Sequence, residues 1–225
     1  MNYRIDHIPV NTPNKRRSGL IMLARTITIH NTGNPSSNAA GERAWLTNPS
    51  NERQASFHIV VDEREAVECI PLNENAWHAG DGSKATSGNR TSIGIEICES
   101  GDYAKTLDNA AELVASMLKA RGWGVDQLRR HYDWSGKICP RLMYDGGKWT
   151  GWTEFKALVR TKLQEDEDVM IDKAKVVING KPFIGGVVIK GTTYIPLRAA
   201  AEVFEATVGW DGVTKTSTLT TKEEK

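Results

Sequence analysis

The sequence predicts an α/β protein, a β-sheet with helices packed against it, followed by a small mainly-β domain with one helix. Three observations point there. The first 163 residues mix β-branched alternating runs with segments of helical period. Gln164-Glu165-Asp166-Glu167-Asp168 is a like-charge run that repels itself and cannot join a core. Beyond it come short β runs punctuated by glycine-containing turns. The expected domains are 1–163, an acidic linker over 164–172, and 173–225.

Arg25-Thr26-Ile27-Thr28-Ile29-His30 alternates and stops at the turn residues Asn31-Thr32-Gly33-Asn34-Pro35, which predicts a strand with His30 at its C-terminal end. A short helix is expected from Ala39 to Leu46. Phe57 to Asp62 and Ala66 to Pro71 read as a hairpin across Glu63-Arg64-Glu65. Ile93 to Cys98 is a strand with its isoleucines on one face and Gly94, Glu96 and Cys98 on the other. Leu107 to Ala120 has apolar residues at helical spacing and ends at Arg121-Gly122. Thr153 to Leu163 is a further apolar-periodic stretch. In the second domain, Val176 to Lys181 is a strand, Leu197 to Phe204 a helix, and Thr207 to Trp210 with Lys215 to Leu219 a hairpin through Asp211-Gly212.

The chain has 225 residues, 39% hydrophobic and 25% charged, the balance of a folded protein. Lys and Arg number 29 against 28 Asp and Glu, net +1, so neither nucleic acid nor an anionic membrane is an expected partner. No run of apolar residues is long enough for a transmembrane helix. The first residues lack an apolar stretch followed by a small-residue cleavage site, so synthesis in the cytoplasm without a secretory signal is expected. Three cysteines are too few, and odd in number, for a disulfide framework; Cys69 and Cys98 read as small buried hydrophobes. The oligomeric state stays open.

Five histidines can each be weighed: His7, His30, His58, His78 and His131. His131 and Cys139 lie eight apart across Ser135-Gly136, and with His30 they make three ligands suited to zinc, leaving a fourth position to water. Taken as bare spacing, a polar loop histidine and a buried cysteine account for the same residues. The second domain holds no histidine or cysteine and offers no metal or nucleophilic chemistry of the usual kinds.

Five segments occur in order: Ile27-Thr28-Ile29-His30-Asn31-Thr32, Ser56-Phe57-His58, Trp77-His78-Ala79-Gly80, Ile93-Gly94-Ile95-Glu96, and His131-Tyr132-Asp133-Trp134-Ser135-Gly136-Lys137-Ile138-Cys139-Pro140. Over residues 20–160 they resemble the type 2 N-acetylmuramoyl-L-alanine amidases of bacteriophage endolysins and bacillus autolysins, whose fold is shared with peptidoglycan recognition proteins. The resemblance implies a mixed central sheet flanked by helices and a Zn2+ ion on His30, His131 and Cys139. It also implies Glu96 as general base and Lys137 as oxyanion donor, with hydrolysis of peptidoglycan at the amide between N-acetylmuramic acid and L-alanine as the reaction. His78, Trp77 and Trp134 are the expected substrate contacts, and Trp45 joins them as a cleft residue; each tryptophan reads equally as core. His58 is expected to be a satisfied strand histidine and His7 plain surface. Where Phe57 stands, some members carry a tyrosine whose hydroxyl assists the reaction, a role left vacant here unless His58 or His78 fills it.

Val177-Ile178-Asn179-Gly180-Lys181, Thr193-Tyr194-Ile195-Pro196-Leu197-Arg198 and Val208-Gly209-Trp210-Asp211 resemble the copper amine oxidase N-terminal-like domain. That resemblance implies cell-wall attachment without a copper site, or otherwise a structural or dimerisation module. An endolysin acting on the wall after release is the expected function. The alternative is a non-catalytic peptidoglycan recognition protein, a class that commonly loses the cysteine present here as Cys139. An intracellular recycling amidase is disfavoured by the appended module.

Overall fold

Alternating β-branched residues in Thr26–Asn31 (β2) and Ser92–Ile97 (β5) place these strands side by side and parallel, with His30 opposite Glu96 in register. They form the middle of a six-stranded mixed sheet in a computed structural model that describes residues 1–165, 172–189 and 191–221. The chain divides into two compact units, Met1–Gln164 and Glu165–Lys225.

The first unit adds strands Asn2–Ile5 (β1), Ile59–Val61 (β3), Glu65–Glu68 (β4) and Leu128–Arg130 (β6), in the sheet order β1-β4-β3-β5-β2-β6. β3 and β4 form the expected hairpin; its turn is fixed by Asp62, whose Oδ1 accepts from the Arg64 and Glu65 amides at 2.7 and 2.8 Å. Every other neighbouring pair runs parallel.

Helices cover both faces of the sheet. Tyr103–Lys119 (α3) and Thr150–Glu165 (α5) bury Ala110, Val114, Leu118, Trp152, Phe155 and Val159 against Ile27, Ile29, Ile93, Ile95 and Ile97. On the other face Ala39–Trp45 (α1) contributes Ala39, and the residue after it, Leu46, packs with it in a smaller cluster with Ile8, Phe57, Val60, Val67, Cys69 and Cys98. Because strand side chains alternate, Thr28, His30, Gly94 and Glu96 fall on this second face. α3 begins a turn earlier than its apolar period suggests, since the Asp102 carboxylate accepts from the Lys105 amide and caps the helix. All three cysteines are free and buried.

β1 and β6 were not expected. They are short strands whose place comes from pairing with β4 and β2. β1 leads into His7, which is half-buried with Nε2 2.7 Å from the Glu68 carboxylate rather than plain surface.

The first unit also has two four-residue helical turns, Gly88–Thr91 (α2) and Tyr132–Ser135 (α4). The second unit contains Asp172–Lys173 (β7), Val176–Ile178 (β8), Lys181–Phe183 (β9), Val187–Ile189 (β10), Thr192–Tyr194 (β11), Leu197–Val203 (α6), Thr207–Asp211 (β12) and Thr216–Thr220 (β13). β7, β10 and β11 make a three-stranded sheet, and β8–β9 and the expected β12–β13 pair are two-stranded. Most of the acidic linker, 166–171, lies outside the described residues. Among the described residues no helix is long and apolar enough to cross a membrane.

Candidate metal centre and cleft

Two parallel strands and one loop bring the candidate ligands together. His30 is the fifth residue of β2 and Glu96 the fifth of β5, so both point from the same face. His131 follows β6, and the chain then makes α4, turns at Gly136 with φ +76, and returns as far as Cys139. That left-handed conformation suits a glycine. The Tyr132 amide donates to the Cys139 carbonyl at 3.2 Å and closes the loop. Asn31 ties the far end to β2, its Oδ1 accepting from the Leu142 amide at 3.0 Å.

One ligand atom each from His30, His131 and Cys139 lies within 4.8 Å of the others. The two Nδ1 atoms are 3.1 Å apart, and Cys139 Sγ is 3.7 Å from His30 Nδ1. A tetrahedral ion bound at ordinary metal–nitrogen and metal–sulfur lengths spaces such pairs by about 3.3 and 3.6 Å. The residues therefore fit a metal ion, and this buried group could hold one. Without it, burial pushes the Cys139 thiol up to about 12 and the His131 imidazole down to about 4. A cation there reverses the first shift and stabilises the neutral rings it needs.

The group opens on a cleft of about 550 Å³ bordered by Trp45, Phe57, Trp77, Arg53, Glu96 and Lys137. Burial, then the nearby Glu42 carboxylate, pushes Glu96 up to about 8. Its Oε2 is buried with no hydrogen-bond partner. Glu42, which the sequence reading did not single out, sits on α1, buried, accepting from Asn34 Nδ2 at 3.0 Å. Only Ala39-Ala40-Gly41 precede it in the helix, and no spacing marks such a residue as buried. Arg53 is exposed at the cleft and was likewise not singled out.

The remaining expected residues divide. Trp77 borders the cleft while its indole N–H donates to the Lys15 carbonyl at 2.9 Å. Trp134 does not border it: its N–H donates to Thr28 Oγ1 at 2.8 Å, and its ring lies where a Cβ on Gly88 would stand 2.6 Å away. Its indole packs over Gly88 and is anchored to β2. His78 is buried with both ring nitrogens engaged, Nδ1 at 3.1 Å from His30 Nε2 and Nε2 donating to the Ser92 carbonyl at 3.0 Å. It borders the cleft, with both nitrogens turned to protein partners. His58 is satisfied on its strand, Nε2 donating to the Glu74 carbonyl and Nδ1 accepting from the Gly94 amide.

Comparison with known proteins gives two matches along the chain. Residues 164–225 match the copper amine oxidase N-terminal domain. The first unit is similar to the N-acetylmuramoyl-L-alanine amidases CwlA and XlyB of Bacillus subtilis (strain 168), 47% identical over 132 residues and 44% over 146. These alignments cover 57% and 63% of this chain but 47% and 44% of the relatives, so the chain spans about half the length of the curated relatives it matches. Among solved structures, the catalytic domain of XlyA superposes with a TM-score of 0.63 at 42% identity, covering 71% of this chain and 99% of that one. PlyL gives 0.62 at 33%, covering 71% and 98%. Residues 22–142, more than half of the sequence, match the family described as N-acetylmuramoyl-L-alanine amidase, and the chain belongs to that family, type 2.

Proposed function

We propose that this protein hydrolyses the amide between the lactyl group of N-acetylmuramic acid and the L-alanine of the peptidoglycan stem, using zinc held by His30, His131 and Cys139. The observation that carries the reading is the convergence of those three donors within 4.8 Å at the floor of a cleft. Two imidazoles and a thiolate leave one coordination position for chemistry, the pattern of catalytic zinc. When bound, zinc supplies a Lewis acid that polarises the scissile carbonyl and makes the attacking water more acidic.

Glu96 takes the water proton on its unpartnered Oε2 and returns it to the departing alanine amine. Register holds this carboxylate beside His30, so its reach to the reacting centre is set by the sheet. Lys137, at the cleft, donates to the carbonyl oxygen as negative charge develops there; such a donor is worth roughly 10²–10³ in rate. Phe57 has no hydroxyl to share that task.

The second unit, 173–225 in this reading, attaches the enzyme to the wall. Two linked binding points raise effective concentration on an insoluble polymer without new chemistry. That role is supported by the match of residues 164–225 to a domain family distinct from the hydrolase.

Digestion of purified peptidoglycan with and without a chelator tests the proposal. New free L-alanine amino termini that vanish on chelation are expected; new reducing sugar ends in their place refute it. Glu96→Ala is expected to retain zinc and lose turnover by roughly 10²–10⁴-fold, and unchanged turnover takes the general-base role from it.

A further inference from the structure

We propose that the Trp77-His78-Ala79-Gly80 turn is the outer clamp of the metal centre. In it the His78 imidazole and the Ala79 carbonyl each accept the far N–H of one ligand histidine, and so hold both Nδ1 lone pairs toward the ion. The inference rests on the zinc reading above and adds two positioning residues, His78 and Asn89, that do not touch substrate or metal.

The argument follows hydrogens. The Ser92 carbonyl can only accept, so the His78 nitrogen facing it, Nε2 at 3.0 Å, carries the proton. His78 is buried and no carboxylate hydrogen-bonds it, so its ring is neutral and Nδ1 is bare. His30 Nε2, 3.1 Å from that bare nitrogen, must then be the donor. It follows that His30 Nδ1 has no proton and offers its lone pair on the side where His131 Nδ1 and Cys139 Sγ lie.

The second ligand repeats the arrangement one residue further on. The Ala79 carbonyl is the backbone acceptor beside the His131 ring, and Nε2 is the nitrogen on that side, 3.2 Å from where a Cβ on Gly80 would stand. With Nε2 as the donor to that carbonyl, Nδ1 is also bare. Two bare nitrogens 3.1 Å apart cannot hydrogen-bond to each other, and a cation between them resolves the repulsion. Ligand histidines generally donate their second N–H to an outer partner that fixes the tautomer. Here one four-residue turn supplies both partners.

The turn is itself held. Asn89 Oδ1 accepts from the His78 and Ala79 amides, each at 2.7 Å, and Asn89 Nδ2 donates to the Gly82 carbonyl at 2.8 Å. Gly94 makes the room: a Cβ there would stand 2.6 Å from His78 Cγ. Gly80, at φ +69, brings the backbone within reach of His131 Nε2.

Two measurements test the clamp. Long-range ¹⁵N imidazole spectra of the metal-free parent at neutral pH should find His30, His78 and His131 protonated at Nε2 and bare at Nδ1; a proton on His30 Nδ1 overturns the proposal. Zinc affinity, read by competition with a chelating dye, should fall roughly 10–100-fold in His78→Phe, which keeps the ring volume and loses the acceptor. His78→Asn restores an acceptor oxygen where Nδ1 stood and should recover most of the loss. A His78→Phe protein that melts like the parent and binds zinc as tightly refutes the clamp. If that variant does not fold, the imidazole spectra decide. A parent with the stated tautomers that takes up no zinc counts against the proposed enzyme while supporting the turn's hold on the two rings.

Discussion

In the first unit Ile93, Ile95 and Ile97 of β5 are out of reach of water, whereas in the second Ile184, Phe204, Trp210 and Val213 stand in it. The difference follows from layers. A six-stranded sheet covered by α3 and α5 on one face and α1 on the other closes two apolar clusters. Two- and three-stranded sheets with one seven-residue helix close much less; among the described residues of the second unit the buried hydrophobics are Ala200 and Ala201. Small units bury a smaller share of their surface and are correspondingly marginal. Four buried imidazoles and a carboxylate forced toward neutrality oppose folding. Such a site needs a frame whose apolar burial outweighs that cost, and the first unit has one.

The sharpest way to separate the units is to remove a ligand. His131→Ala is expected to lose bound metal and wall lysis altogether while intact walls still bind; metal analysis and a turbidity assay check it, and retained lysis would take the metal out of the reaction. Truncation after Gln164 should do the converse. Hydrolysis of soluble muropeptides should persist while binding to intact walls in a pull-down weakens by roughly 10²-fold or more; undiminished wall binding would give the second unit another task. In stability, Ile95→Ala should cost about 2–5 kcal/mol in denaturant unfolding of the first unit, since it opens a cavity in the fully buried sheet face. Val213→Ser, at a side chain 93% exposed, should change stability by no more than about 0.5 kcal/mol. A large effect there would mean that the exposed apolar surface of the second unit is covered in solution.

The elements with strong periodicity were legible. β2, β5 and α3 announce themselves through alternating isoleucines and a helical apolar stripe, and the β12–β13 hairpin through its Asp-Gly turn. β1 and β6 were not, because Asn2–Ile5 and Leu128–Arg130 are short and polar and owe their form to the neighbours they pair with. The grouping of His30, His131 and Cys139 was legible through residue type and motif, since His, His and Cys keep their chemistry wherever the chain puts them. Supporting residues were not. The contacts of Glu42, Asn89 and His78 depend on which atom faces which, and the sequence leaves Trp134 open between cleft and core because an indole suits a sugar as well as it suits a core. Side-chain identity carries reactivity, while hydrogen-bond direction is a property of the folded chain.

The alignment of β2 with β5 has one more consequence. His30 and Glu96 are rungs of the same ladder, so the interval between them is fixed by the pitch of the sheet and not by any loop. A slip of either strand by one residue would swing its reactive group into the isoleucine layer. Insertions are thus tolerable in the turns around this centre but forbidden within those two strands, and drift among descendants of this sequence should trace that boundary.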